Sequence, residues 1–305
     1  MADPRWVPFV GLSAVVLVLL LGLARVSQRA IGDETPRLPA GPASDPDPAG
    51  GLTDTPDRGT GERPPVPERH ALAEGELAYD RAATLPPADD RTAETGTELT
   101  TGVLLANVAL TQGLFGAVLV AGTYFYAIPG QALGVTGDPF STGLPALAMG
   151  VGFGLALWLA NETSAAVADA VGAAYDERLR EALAPDSLRG WVILLAGVLP
   201  VVAFVEEFIF RAAVVGVPAA GFDVSPWALA LVSSGAFAVG HGAQGRVGVA
   251  VTGGLGFVLA AGYILSGSLL VVVVAHYLVN ALEFLVHERL GIDDFPAGRA
   301  GLSES

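Results

Sequence analysis

Three groups of polar side chains interrupt hydrophobic stretches in the last third of this 305-residue chain. The first group holds Glu206, Glu207 and Arg211. A charge near the middle of a bilayer costs about 2.5 kcal/mol or more, so such residues are candidates for function. Glu207 and Arg211 are four positions apart and can pair on one helix face. Glu206 points about 100° away and lacks that partner, which makes it a candidate general base. The alternative is that all three residues only lock neighbouring helices together.

The second and third groups follow in later hydrophobic segments and contain histidine. Phe237 and His241 are one helical turn apart, as are His276 and Asn280. A neutral imidazole at His241 could orient a water molecule or bind a metal, although it could equally be a packing residue. His276 and Asn280 can both donate hydrogen bonds and could stabilise an oxyanion. The alternative for this second pair is hydrogen bonding between helices.

Together these groups supply what is needed to activate water and to stabilise a tetrahedral intermediate. Other hydrolytic signatures are missing, since the chain has neither His-Glu-x-x-His nor Gly-x-Ser-x-Gly. It also contains no cysteine, which excludes a thiol nucleophile, a disulfide and a cysteine-based zinc site. The residues therefore favour hydrolysis by activated water within a membrane.

The order Glu-Glu-x-x-x-Arg, Phe-x-x-x-His, His-x-x-x-Asn resembles the CPBP family of intramembrane proteases. That family includes CAAX prenyl endopeptidases related to Ras-converting enzyme, and bacteriocin-immunity (Abi) proteins. The resemblance covers about residues 188–286 and implies an integral-membrane endopeptidase. It implies that Glu206 and His241 activate the attacking water. It also implies that His276 and Asn280 hold the oxyanion.

The same resemblance assigns supporting roles to Glu207 and Arg211, which complete the first motif, and to Phe237, which begins the second. Two other functions remain open at this point. The chain could be a non-catalytic membrane scaffold or immunity-type protein on the same fold. It could also be a proton-coupled transporter, although no inverted repeat is visible in the sequence.

A metal is compatible with the resemblance but is not required by it. Two histidines and one carboxylate are a common set of ligands for catalytic zinc. If Zn²⁺ is present, its expected ligands are Glu206, His241 and His276. The expected partners are membrane lipid and a peptide or membrane-protein substrate, which could carry a lipid.

The composition agrees with a membrane protein. Hydrophobic residues make up 52% of the chain and charged residues 15%, and the mean hydropathy is +0.54. Soluble domains carry roughly 25% charged residues. The sequence therefore predicts an all-α transmembrane bundle of about seven spans. The predicted spans are residues 7–23, 103–128, 143–160, 191–217, 226–242, 247–265 and 269–286.

The domain organisation follows from changes in composition along the chain. Residues 1–27 are expected to be an N-terminal anchor, although a cleaved signal peptide is the alternative. Residues 28–100 form an acidic, proline-rich linker with 15 acidic residues against 7 arginines, and this composition predicts disorder. Residues 101–290 form the protease-like domain, with its motif core at 188–286. A polar tail at 291–305 follows.

Charge gives three further expectations. The net charge is −15 and no basic patch is present, which argues against nucleic-acid binding. An acidic chain in which every basic residue is arginine suggests a halophilic, archaeal source. Arginines near the ends of the predicted spans place the N-terminus outside and the C-terminus in the cytoplasm.

Residues 161–187 are polar and predict an amphipathic surface helix or a loop.

Overall fold

The structure is a computed structural model that describes residues 3–33, 101–170, 172 and 178–292. Within these residues the regular structure is entirely helical and no strand occurs, which confirms the all-α class. In chain order the helices are α1 (Trp6–Asp33), α2 (Thr101–Phe125), α3 (Pro139–Thr142), α4 (Leu144–Ala170), α5 (Arg178–Leu183), α6 (Leu188–Phe222), α7 (Pro226–Gly240), α8 (Gly245–Ser266) and α9 (Leu269–Arg289).

The predicted spans correspond to the long helices of the described part of the chain. Six of these helices are long and apolar enough to cross a membrane, namely α1, α2, α4, α6, α8 and α9. The predicted span at 226–242 corresponds to α7, which is apolar but only 15 residues long. The structure therefore agrees with about seven apolar segments, of which one is too short to cross a full hydrocarbon core unaided.

Two helices run further than the sequence predicted. α1 continues to Asp33, so the first six residues of the predicted linker are helical, while residues 34–100 lie outside the described residues. α4 continues to Ala170 instead of ending at residue 160. The hydroxyls of Thr163 and Ser164 donate to backbone carbonyls four residues earlier, so these polar residues stay within the helix. The predicted tail is described only as far as residue 292.

The distribution of polarity is opposite to that of a soluble protein. Leu110, Leu114 and Leu231 are among many large apolar side chains exposed on the outside of the bundle. Glu207 and Arg211 are fully buried, each with 0% of its surface exposed. Lipid solvates apolar side chains but cannot satisfy charged ones, so this arrangement is the one a bilayer favours.

α6 alternates between α-helical and wider π-helical turns. The first π-helical segment, Leu194–Val198, ends two residues before Pro200. The second, Phe208–Gly216, ends two residues before Pro218. Proline has no N–H to donate, and its ring crowds the carbonyl four residues earlier. A wider turn just before each proline relieves both problems, and it leaves Glu206 and Glu207 in the α-helical stretch between the two segments.

α1 contributes to the same core as the later helices. Phe9 and Val16 are buried in the hydrophobic cluster that also contains Phe210 of α6. A carbon atom added at Gly122 of α2 would lie 2.7 Å from a methyl of Leu12, so α1 and α2 approach closely. The first helix therefore packs within the bundle.

α4 and α9 pack with almost no side chain between them. Gly150 and Gly154 are four residues apart on α4 and face Val271 and Ala275 of α9. A Cβ atom at Gly154 would lie 2.9 Å from both the Cα and the carbonyl oxygen of Ala275. Small residues at this spacing allow membrane helices to approach closely, and here they fix the position of α9.

This packing gives a test with a matched control. We expect Gly154→Ala to lower the free energy of unfolding by about 1–3 kcal/mol relative to Gly152→Ala. Both changes raise intrinsic helix propensity by roughly the same amount, about 1 kcal/mol. Only Gly154 meets backbone atoms, since nothing lies within 4 Å of a Cβ at Gly152. Thermal unfolding of the purified variants in detergent measures the difference, and equal midpoints would contradict the close approach of α4 and α9.

Candidate active site

The predicted pair of Glu207 and Arg211 is present at the centre of the bundle. Arg211 Nη1 donates to Glu207 Oε1 over 2.8 Å. The same Oε1 atom lies 2.7 Å from Nδ1 of His276 on α9, a contact that the sequence did not predict. One carboxylate oxygen therefore holds a guanidinium on its own helix and an imidazole on another. Because all three groups are buried, this shared contact fixes the relation of α6 to α9.

Arg211 receives partners from two further helices. Its Nη2 donates to the backbone carbonyl of Gly256 on α8 over 3.0 Å. Its Cζ lies 4.8 Å from the ring centroid of Phe237 on α7. Gly256 permits this approach, because a Cβ there would lie 3.0 Å from the Phe237 ring. The charge of the guanidinium is thus stabilised by one carboxylate, one backbone carbonyl and one aromatic face. A buried cation requires partners of this kind.

His276 is held in one orientation by its contact with Glu207. A carboxylate oxygen facing a ring nitrogen accepts a hydrogen bond, so Nδ1 carries a proton. Nε2 then faces Glu206, whose Oε2 lies 3.7 Å away. In the neutral ring Nε2 is an acceptor, and only the imidazolium form can donate from it. The sequence interpretation of His276 as an oxyanion donor therefore requires the protonated ring.

His241 is oriented by its own helix. It follows the last residue of α7, and its Nδ1 lies 2.9 Å from the backbone carbonyl of Phe237. A carbonyl only accepts, so Nδ1 carries the proton and Nε2 is the acceptor. The Phe237 ring centroid lies 4.4 Å from that of His241 and 6.1 Å from that of His276. Phe237 is therefore packed between the arginine and both histidines.

A cavity of about 300 Å³ lies beside these residues. Its wall is mostly apolar and includes eight leucine and valine side chains from α2, α6 and α8, and His241, His276 and Asn280 lie in the same wall. Glu206 is only 9% exposed, and it is not one of the lining residues. Its connection to the cavity is the 3.7 Å contact between its Oε2 and Nε2 of His276, which does line the cavity. The structure thus brings three of the four predicted residues to one cavity and puts the fourth next to it.

The cavity has a second polar region that the sequence analysis did not include. Asn161, Arg180 and Glu283 line it from α4, α5 and α9. Asn161 Nδ2 donates to Glu283 Oε1 over 2.7 Å, and Arg180 Nη1 lies 3.3 Å from Glu283 Oε2. One signal was available, since Glu283 follows His276 by seven residues and shares its face of α9. Asn161 was missed because the span was expected to end just before it.

The described residues contain one group whose ligand atoms are arranged for a metal ion. It is Glu162, Glu283 and His287, with one atom from each lying within 4.8 Å of the others. The ligands expected from the sequence, Glu206, His241 and His276, do not form such a group in this conformation. A zinc ion at those three residues therefore stays a prediction.

The fold and the site define a multi-pass membrane protein with a buried glutamate and histidine cluster beside an apolar cavity. Residues 188–282 match the family model described as type II CAAX prenyl endopeptidase Rce1-like. The match confirms the resemblance predicted from the motifs, and it supports a CAAX-type intramembrane endopeptidase. It begins with α6 and contains all three motifs. Comparisons with curated proteins and with solved structures give no significant match.

The shared carboxylate gives a prediction about stability. Glu207→Ala leaves Arg211 and His276 without their acceptor, and breaking a buried pair from one side costs about 3–5 kcal/mol. We expect a lower yield and a lower unfolding midpoint. Replacing Arg211 with methionine in the same chain should restore part of the loss, because the unpaired cation is removed.

The control for this prediction is Glu206→Ala, which removes the adjacent carboxylate on the same helix but leaves the ion pair intact. Its effect on the midpoint should be much smaller than that of Glu207→Ala. Equal destabilisation by the two changes would show that the pair is not what holds α6 and α9 together.

Proposed function

We propose that this protein hydrolyses a peptide bond in a membrane-associated substrate, with water activated by Glu206 and His241. The observation that carries the proposal is the contact of His276. Its Nδ1 is fixed by Glu207, and its Nε2 lies 3.7 Å from Glu206 beside the cavity. The contact between Glu206, the proposed proton acceptor, and His276, the proposed donor, supports hydrolysis by activated water.

In the proposed first step Glu206 accepts a proton from the water, and the oxygen of that water attacks the carbonyl carbon of the substrate. His241 Nε2 accepts the second hydrogen bond of the same water and orients it. The carbonyl oxygen becomes an oxyanion, which His276 and Asn280 stabilise by donating hydrogen bonds. Glu206 then returns the proton to the amide nitrogen, the C–N bond breaks, and a carboxylic acid and an amine are released.

The charges of the proposed site balance at each stage. Donation from Nε2 requires the imidazolium form of His276, so in the proposed mechanism two carboxylates, Glu206 and Glu207, face this imidazolium and the Arg211 guanidinium. When Glu206 takes the proton from water, its negative charge is transferred to the oxyanion, so the sum does not change. Low-dielectric surroundings penalise a net charge strongly. The second carboxylate and the arginine therefore have a physical reason to accompany the reacting groups.

We infer the class of substrate from the wall of the cavity. Most of the wall is apolar, with eight leucine and valine side chains from α2, α6 and α8, and the histidines and Asn280 occupy one part. A cavity of this kind favours an apolar group next to a peptide bond. The substrate proposed is a peptide or membrane protein with an apolar segment or a covalent lipid beside the cleaved bond.

The removal of Glu206 tests the proposed chemistry. We expect Glu206→Gln to lower the cleavage rate by about 10²–10⁴-fold, because the amide has the same size but cannot accept the proton. Wild-type protein and the variant, each in proteoliposomes, would be incubated with a detergent-free membrane fraction. Mass spectrometry of newly formed N-termini measures cleavage.

The matched control is Glu288→Gln, a carboxylate near the end of α9 that contacts Arg180 and none of the proposed reacting groups. This variant should cleave at nearly the wild-type rate. Cleavage by Glu206→Gln at the wild-type rate, with the unfolding midpoint unchanged, would contradict the assignment of the base.

We propose that the cavity opens to the cytoplasm, with the N-terminus outside. The support is the distribution of arginine, since Arg246 lies in the first turn of α8, soon after His241, and Arg189 lies in the first turn of α6. In this naturally cysteine-free chain, Gly242→Cys should react with a membrane-impermeant thiol reagent only from the cytoplasmic side. Gly137→Cys, in an exposed loop assigned to the outside, should react only from the other side. The opposite pattern would reverse the topology.

A further inference from the structure

We propose that Glu162, Glu283 and His287 form a binding site for a divalent transition-metal ion of the zinc or manganese type. This site is separate from the proposed hydrolytic residues. All three ligands lie outside the stretch that matches the Rce1-like model, residues 188–282. The inference therefore concerns a feature of this chain that the family match does not cover, and it is independent of the proposed function.

The geometry of the three side chains suits a metal. Nε2 of His287 lies 3.0 Å from Glu162 Oε1 and 3.7 Å from Glu283 Oε2. Ligand atoms bound at about 2.1 Å in octahedral or tetrahedral geometry are separated by roughly 3.0–3.4 Å. The observed distances bracket that range. An ion between the three atoms needs only small side-chain movements.

The helices hold these ligands in place from two sides. Glu162 is on α4, and Glu283 and His287 are four residues apart on α9. α4 and α9 are the helices that pack through Gly150 and Gly154. The ligands therefore belong to a rigid pair of helices.

Both oxygens of Glu283, including the proposed ligand atom Oε2, and the neighbouring carboxylate Glu288 already have partners. Asn161 donates to Glu283 Oε1 over 2.7 Å. Arg180 Nε donates to Glu288 Oε1 over 2.7 Å, and its Nη1 lies 3.3 Å from Glu283 Oε2. Contacts of this kind orient the ligands of metal sites and hold carboxylates in position.

Charge gives an independent reason for a cation. The described contacts of this cluster join three carboxylates, Glu162, Glu283 and Glu288, to one guanidinium, that of Arg180. No member of the cluster has more than 19% of its side chain exposed, so water screens these charges only weakly. A divalent cation bound to His287 and two of the carboxylates would compensate the excess of acidic groups over the single guanidinium in these contacts.

The ligand types decide which metals fit. An imidazole with two carboxylates suits zinc, manganese, cobalt and iron, whereas magnesium and calcium prefer oxygen ligands alone. The cluster lies about two helical turns beyond His276 along α9, roughly 10 Å at 1.5 Å per residue. A metal there would join α4 to α9 at the polar region of the cavity wall without entering the proposed reaction.

The test is Co²⁺ binding by the full-length protein in detergent, with any histidine tag removed and bound metal stripped by a chelator. We expect wild-type protein to bind one Co²⁺ per chain, seen as visible absorption that Zn²⁺ displaces. Glu162→Gln and His287→Gln should each weaken binding at least tenfold. A control outside the cluster, His241→Ala, should change the affinity less than threefold.

X-ray absorption by wild-type protein loaded with Co²⁺ supplies a second measurement that does not depend on the folding of any variant. The proposal requires a single imidazole among oxygen ligands, whereas Glu206, His241 and His276 would give two imidazoles. Absence of stoichiometric binding, loss of binding in His241→Ala, or a signal from two imidazoles would each overturn the proposal. None of these measurements depends on proteolysis, so they do not bear on the hydrolytic residues.

Discussion

One carboxylate oxygen, Oε1 of Glu207, holds the centre of this bundle together. It accepts a hydrogen bond from Arg211 on its own helix and one from His276 on α9. Inside a membrane neither a carboxylate nor a guanidinium can form hydrogen bonds with water, so each needs hydrogen-bonding partners from the protein. The position of α9 relative to α6 is therefore set by polar contacts. The apolar side chains around these contacts pack against helices whose positions are already fixed.

The same interaction explains several nearby features that would otherwise seem unrelated. Gly256 must lack a side chain because its carbonyl accepts from Arg211 while the Phe237 ring covers the guanidinium. Phe237 must be aromatic to pack against a cation and two histidines at once. The prolines of α6 widen the turns on either side of the glutamates. Each feature helps to bury the charge network, in which Glu207 Oε2 and Arg211 Nε are left without a hydrogen-bond partner among the described residues.

Much of this arrangement could be predicted from local patterns in the sequence. Long apolar runs predicted the helices, and four-residue spacing predicted the pair of Glu207 and Arg211. Contacts between distant segments could not be predicted in this way. Glu207 and His276 are 69 positions apart, and nothing in the sequence between them indicates which ring nitrogen meets which carboxylate oxygen. The end of α4 was also misjudged, because a polar composition was taken for the end of a helix.

The polar face of α9 connects the two polar regions of the cavity. His276, Asn280, Glu283 and His287 follow one another at intervals of four, three and four residues, which keeps them on one side of the helix. The residues that face the glycines of α4, among them Ala275, lie about 100° away around the same helix.

A helix with such a stripe is stable in lipid only if the stripe faces protein or an internal cavity. The rotation of α9 is thus determined twice, by its polar stripe and by its small residues against α4. Both requirements turn the histidines and Glu283 towards the interior of the bundle. The position of the cavity follows from this rotation, because the apolar side chains of α2, α6 and α8 cannot close over a stripe of buried polar groups without leaving those groups unsatisfied.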